Sequence, residues 1–285
     1  MKLLACTVLL AASLLSCTTV EGTGRQQFII TSPAQENEMG ATAYKEVQAK
    51  EKICTDAATV AFVKRVGERL AKVADPGGVH GFQWEFTVLE SNTVNAFCLP
   101  GGKVAVYTGI LPYCQNEAGL AAVMGHEIGH AIARHGGERM TQATLAQTAL
   151  TVGAAAAQAK GYSDQTIQLG VAIGGLGAQY GAILPFSRKH ESEADYLGLK
   201  YMAEAGYDPA EAATFWQRFA KLTDSGSTGI VKKIEAFSST HPQSSDRATD
   251  LKAKEPEAKR LYDAAPVKYG AGEAVPAKYR TIASK

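Results

Sequence analysis

The clearest periodicity in the chain lies between Phe62 and Val73, where Phe62, Val63, Val66, Leu70 and Val73 recur three and four residues apart. That spacing predicts an amphipathic helix within a helical pattern covering residues 36–74. Asp75-Pro76-Gly77-Gly78 stops it. Phe82, Trp84, Phe86 and Val88 then alternate with polar residues, as a half-buried strand does. Residues 94–98 and 104–107 flank the breaker Pro100-Gly101-Gly102 and predict two more strands around a turn, in a small antiparallel sheet. After Asn116 the chain reads as helical to the neighbourhood of Arg139, and a second helical run from Ser187 to Ala205 ends at Gly206, a residue suited to a left-handed cap. Asp208-Pro209-Ala210-Glu211 opens the next helix with an N-cap, a proline at the first position and an acid at the third. The expected class is α+β and mainly helical.

The two ends read differently from the middle. Residues 1–17 carry one lysine, then an apolar stretch that closes on small residues and Cys17, the layout of an export signal. Leu14-Leu15-Ser16-Cys17 resembles a bacterial lipobox, in which Cys17 becomes the lipid-bearing first residue. By the same resemblance Thr18, in place of an aspartate, implies an outer-membrane anchor facing the periplasm. Acyl chains contribute about 0.8 kcal/mol per buried methylene, enough for a multiply acylated terminus to hold without a membrane-spanning helix. Residues 18–35 are polar and predict a tether, residues 36–251 a single folded domain, and residues 252–285, without periodicity, a loosely ordered tail. Residues 165–187 hold no charge, but Gln165, Gln168 and Gln179 interrupt them, and five glycines between 170 and 181 lower hydrophobicity and helix propensity. They predict a packed or mobile helix covering the candidate site rather than a membrane span.

Charge narrows the function classes. A formal net charge of +1 leaves no electrostatic footprint for nucleic acid. Beyond Cys6 and Cys17 the thiols are Cys54, Cys98 and Cys114, which in an oxidising compartment allow one disulfide and three pairings. None has the C-x-x-C spacing of a thiolate zinc site.

His126-Glu127-Ile128-Gly129-His130 has the pattern H-E-x-x-H, beside the apolar Leu120, Val123 and Met124. Residues four apart on a helix lie one turn above each other, so both imidazoles reach a single ion at about 2.0–2.1 Å. Glu127 is displaced by one position and falls beside the water position, as a general base. Chance supplies such a pattern roughly 0.01 times in a chain of this length, which makes two unrelated histidines a poor explanation. A tetrahedral catalytic zinc still needs one more protein ligand. His190-Glu191-Ser192-Glu193-Ala194-Asp195 offers it: Glu191 and Asp195 share a helix face and Glu193 points elsewhere. Taken alone, such an acidic run is more often a solvated face.

Four ordered motifs then carry a family resemblance: Asn95-Ala96-Phe97 with Leu99-Pro100-Gly101-Gly102, the H-E-x-x-H segment, Glu191-Ser192-Glu193-Ala194-Asp195, and Thr240-His241-Pro242. Over residues 36–251 the chain resembles the gluzincin zinc peptidases of the HtpX, LoiP and BepA type, related to the CAAX prenyl proteases and to mitochondrial Oma. No internal repeat is evident, so the closer resemblance is to the short lipoproteins. The resemblance implies a zincin-like core with one zinc per chain, and a sheet whose edge strand flanks the active-site helix. It makes His126, His130 and Glu191 the metal ligands, Glu127 the base, and Asp195 the partner of a ligating histidine. It places His241 over the site, where it either approaches the metal as a latency switch or stabilises the transition state. Arg247 is a weaker candidate for polarising substrate, otherwise a surface arginine. The strand at Asn95, Ala96 and Phe97 would pair with unfolded or extended polypeptide. His80, His135 and His190 read as structural or solvent-facing. Periplasmic quality control follows from the resemblance, with outer-membrane assembly machinery as a possible partner. An assembly factor with a structural zinc is the alternative, and hydrolysis of cell-wall peptides would keep the chemistry and change the substrate.

Overall fold

The periodic run through Phe62 forms a helix, in a computed structural model that describes residues 17–178, 184–224, 241 and 246–280. The helical stretch from 36 to 74 holds two helices, α1 (Pro33–Lys50) and α2 (Ala57–Ala74). Asp56 divides them: its carboxylate accepts from Thr59 N at 3.0 Å and satisfies one of the amides that a helix start leaves open. Val63, Val66 and Leu70 are fully buried on the inner face of α2.

The chain divides into two compact units, Met1–Ser32 with Arg134–His190 and Pro33–Ala133 with Glu191–Lys285. The second unit holds a three-stranded sheet of β3 (Glu85–Leu89), β4 (Ala96–Leu99) and β5 (Lys103–Tyr107), ordered β3-β5-β4. The β4–β5 hairpin is antiparallel, with Ala96 opposite Val106, and turns through Gly101 and Gly102 at φ +83° and +76°. β3 runs parallel to β5, so the sheet is mixed and not antiparallel as predicted. The reason is burial: Val104, Ala105 and Val106 are fully buried, and a strand covered on both faces takes the centre, between two strands that come earlier in the chain.

Helix α3 (Glu117–Ile132) lies against α2 and β4 with all its residues buried, which explains its density of alanine and glycine. Asn116 caps it, Oδ1 accepting from Gly119 N at 2.8 Å. It ends short of the predicted Arg139 because Arg134 takes a left-handed conformation, φ 55° and ψ 34°, from which α4 (His135–Ala159) departs. In the first unit β1 (Cys17–Thr19) pairs antiparallel with β2 (Gln26–Phe28), and α4 packs against α5 (Asp164–Ala178). The predicted tether over 18–35 is thus a hairpin with buried Val20 and Ile29, followed by the first turn of α1: apolar residues two in number suffice to fold a polar segment once β2 has a partner. Helix α6 (Leu184–Glu204) begins in this unit and continues from Glu191 in the second. Gly206, at φ +87°, follows it as predicted. Asp208 Oδ1 accepts from Ala210 N at the start of α7 (Ala210–Asp224), which packs on α3 and on α8 (Arg247–Ala264).

The composition of residues 252–285 predicts a loose tail, yet through Arg280 they are part of the fold. Residues 252–264 belong to α8, and the next segment satisfies the start of α3, with Glu117 N donating to Glu273 O at 2.9 Å and Ala118 N to Ala271 O at 3.0 Å. Val275 is 1% exposed. Backbone pairing of this kind leaves no trace in composition. Cys54, Cys98 and Cys114 are all free thiols. No helix among the described residues is long and apolar enough to cross a membrane. The signal expected over residues 1–16, and residues 179–183 of the uncharged stretch, lie outside the described residues.

Candidate metal centre

Helices α3 and α6 touch backbone to backbone because glycine lines their crossing. A Cβ on Gly125 would come within 2.9 Å of Gly198 O, and one on Gly198 within 2.6 Å of His126 N. Gly129 meets Ala194 in the same way, its Cβ position 3.0 Å from the Ala194 carbonyl. This close approach brings the one-turn pair His126 and His130 on α3 to the carboxylate of Glu191 on α6. Their donor atoms, with one nitrogen of His241, all lie within 4.8 Å of one another, and all four residues are buried.

The spacings fit a metal ion. His126 Nε2 is 3.1 Å from His130 Nε2 and 3.3 Å from Glu191 Oε2, and His130 Nε2 is 3.3 Å from Glu191 Oε1. Nitrogen and oxygen donors at about 2.0–2.1 Å around a tetrahedral zinc stand roughly 3.3 Å apart. The electrostatics also call for a cation. Burial works against the Glu191 carboxylate, but His126, His130 and His241 hold its pKa far below the usual range. Burial and Arg247 push the His126 imidazole down, yet Asp195 and Glu191 outweigh them and leave it at about 9.

Around this donor set the other predicted residues take distinct places. Burial raises the Glu127 carboxyl above its ordinary value, opposed by His241 and His126. Its buried Oε1 has no hydrogen-bond partner among the described residues and lies 3.3 Å from His241 Nε2. An unmet buried acceptor beside the donors is what a base waiting for a water requires. His241 Nδ1 is 3.1 Å from Glu191 Oε2 and 3.2 Å from His126 Nε2, so it joins the donors themselves. Asp195 Oδ1 lies 3.0 Å from His126 Nδ1. With Nε2 toward the ion, Nδ1 carries the proton and donates it to Asp195, fixing the ring. Residues 58–255 match Peptidase family M48.

The chain belongs to Peptidase family M48. It is 37% identical to the mitochondrial metalloendopeptidase OMA1 of Schizosaccharomyces pombe over 82% of this chain and 65% of that protein. To the OMA1 of Saccharomyces cerevisiae it is 30% identical, over 84% of this chain and 69% of that one. To the β-barrel assembly-enhancing protease of Escherichia coli it is 25% identical, over 71% of this chain and 41% of that one. The chain thus spans about two thirds of its yeast relatives and less than half of the E. coli protein. Of these three the mitochondrial proteins are the more similar, where the lack of an internal repeat suggested the short bacterial lipoproteins. The matched residues include all four donors, His126, His130, Glu191 and His241.

Arg247 is not at the surface. It is 5% exposed, and its Nε and Nη2 donate to Asp195 Oδ2 and Oδ1 at 2.7 and 2.6 Å. Its Nη1 makes no hydrogen bond among the described residues and lies 3.5 Å from Glu191 Oε2. Trp216 of α7 was not foreseen: its ring stacks under the guanidinium at 3.5 Å and edges His126 at 6.0 Å. No motif marks it, since only the packing of α7 on α3 brings it there. Glu193, the other carboxylate considered, lies outside the donor cluster. Ala96 and Phe97 lie on β4, which pairs with β5 along one edge and packs on α3, and Asn95 precedes it, its carbonyl accepting from Tyr107 N. His135 and His190 are fully buried in the first unit and stack at 4.1 Å, with His190 Nε2 3.0 Å from Glu138, which makes them structural and not solvent-facing.

Proposed function

We propose that this M48 peptidase is a zinc-dependent endopeptidase, held by lipid on Cys17 at a bacterial outer membrane and facing the periplasm, where it hydrolyses unfolded or extended segments of envelope proteins. The observation that carries the reading is the unpartnered Glu127 oxygen beside the His126, His130 and Glu191 donors. A structural site has no use for such a group. His126, His130 and Glu191 would hold one zinc, which supplies Lewis acidity to a peptide carbonyl and to water. Glu127 takes the proton from that water and passes it to the leaving amine, a role suited to a carboxyl whose pKa burial has raised above its ordinary value. Asp195 and Arg247 keep the His126 ring in one orientation, and Arg247 Nη1 is the guanidinium nitrogen left to meet a substrate oxygen. The edge of β4 opposite β5 suits an extended backbone, giving limited sequence preference.

The address rests on the N-terminal residues. The apolar run that ends at Cys17, followed by Thr18, supports a lipid anchor in a bacterium, whereas the yeast relatives are mitochondrial proteins. The name of the E. coli relative supports a link to outer-membrane assembly. One observation favours the runner-up, an assembly factor with structural zinc: His241 supplies a fourth donor and so can close the coordination. Casein cleavage by the detergent-solubilised full chain, abolished by chelator and restored by one equivalent of zinc, separates the two. Zinc-loaded protein that cleaves neither casein nor an unfolded outer-membrane protein, with or without His241→Ala, would favour the assembly factor. Absence of labelled palmitate on Cys17 would remove the anchor.

A further inference from the structure

The inner face of the helical hairpin in the first unit is only half-buried, with Leu150, Ile167 and Val171 on it. From Gln142 to Gly175 no residue is buried, although both helices run for several turns. Leu145, Val152, Leu169 and Ile173 are between 49% and 63% exposed, the first pair seven apart on α4 and the second four apart on α5. Each pair therefore marks one stripe on its helix. Between Arg139 and Arg188 the only formal charges are Lys160 and Asp164, both at the loop that joins the helices. An exposed surface helix is ordinarily laced with charge, and helices are held mainly by burial of an apolar face. Among the described residues α5 packs on α4, and α4 packs also on β2. Glutamine and threonine at positions 142, 144, 147, 148 and 151 make the shaft too polar to cross a bilayer, in keeping with the absence of any spanning helix among the described residues.

The base of the shaft is tied to the strand that carries Cys17. Cys17 is paired with Phe28, and two residues beyond, Ile30 N donates to Thr141 Oγ1 at 3.1 Å, in the first uncharged turns of α4. Ile30 itself is 49% exposed. The apolar segment outside the described residues ends at the same cysteine. A lipid on Cys17 would therefore hold the foot of the hairpin at the membrane, within about the width of a strand pair. We propose that α4 and α5 dock on the bilayer surface, with Leu145, Val152, Leu169 and Ile173 entering the interface; this rests on the reading of Cys17 as lipid-bearing. The shaft lacks basic residues, so docking needs no anionic lipid and resists salt.

The test places tryptophan on the full chain, reconstituted into vesicles of dioleoylphosphatidylcholine and its bromine-labelled form. Val152→Trp and Leu169→Trp are expected to show blue-shifted emission, quenched several-fold more than that of Val79→Trp, an exposed position of the second unit, and unchanged by added salt. Quenching no greater than at Val79 would overturn the proposal. So would shielding without bromine quenching together with a doubled mass in light scattering, which would assign the face to a second copy. Labelled palmitate, read on the same preparations, keeps the two claims apart. Palmitate on Cys17 with unquenched tryptophans sinks only the docking, and quenching without palmitate supports the docking and sinks only the anchor.

Discussion

Asp195→Ala removes a carboxylate that accepts two bonds from Arg247 and lies 3.0 Å from His126 Nδ1. Asp195 and Arg247 are 8% and 5% exposed, so the substitution strands a guanidinium in the interior, a change that costs about 3–5 kcal/mol. It also frees the His126 ring, and loss of such a partner weakens a metal site about 10–100-fold. Asp195→Ala with Arg247→Met separates the two effects. Removing both charges returns most of the stability, while His126 still lacks its acceptor and zinc stays weak. Urea unfolding of chelator-treated protein reads the first effect, and competition with a chromophoric chelator reads the second. Protonation adds an independent check. Burial opposes the Asp195 carboxylate, but Arg247 and His126 hold its pKa below the ordinary 3.8. A depressed pKa contributes its stability in full above the unfolded value and loses it as pH falls through the folded one, so the gap between parent and Asp195→Ala should narrow below about pH 4. A double variant no more stable than the single, or parent-like zinc affinity in Asp195→Ala, would refute this reasoning.

His241→Ala should retain zinc on three ligands and raise casein cleavage, because Nδ1 stands among the donors; lowered cleavage with zinc intact would instead make His241 part of the transition-state machinery. Gly198→Ala should cost about 1–3 kcal/mol and weaken zinc, since its Cβ would press on the His126 backbone at 2.6 Å; calorimetry and zinc titration equal to the parent would show that the helices can part freely. Val275→Ala should cost about 2 kcal/mol in urea unfolding if the C-terminal segment is built into the fold, and under 0.5 kcal/mol if it is a loose tail.

Much of the candidate site is legible in the order of residues because three of its donors and the partner of one of them come in helical pairs. His126 and His130 need only a helix to converge, and Glu191 and Asp195 need only another. What joins the two helices is visible too, in Gly125, Gly129 and Gly198, but only after the crossing is known. His241 could be placed by resemblance alone, since it stands 50 residues beyond Glu191 in sequence. Trp216 and the burial of Arg247 were hidden for the same reason: both arise where α7 and α8 close over α3, contacts that carry no local period. Strand existence followed from alternation, whereas the parallel pairing of β3 with β5 depended on which strand the helices bury. The C-terminal segment was misread because its hold on α3 runs through backbone amides.

The central claim is that Glu127 is a base and not a ligand, and Glu127→Gln tests it in one preparation. The amide keeps the shape of a side chain that is 3% exposed while removing its capacity to take a proton. Zinc content and fold should match the parent, and casein cleavage should fall by about 10²–10⁴-fold. A Glu127→Gln protein that cleaves casein at the parental rate, or one that has lost its zinc, would contradict the account.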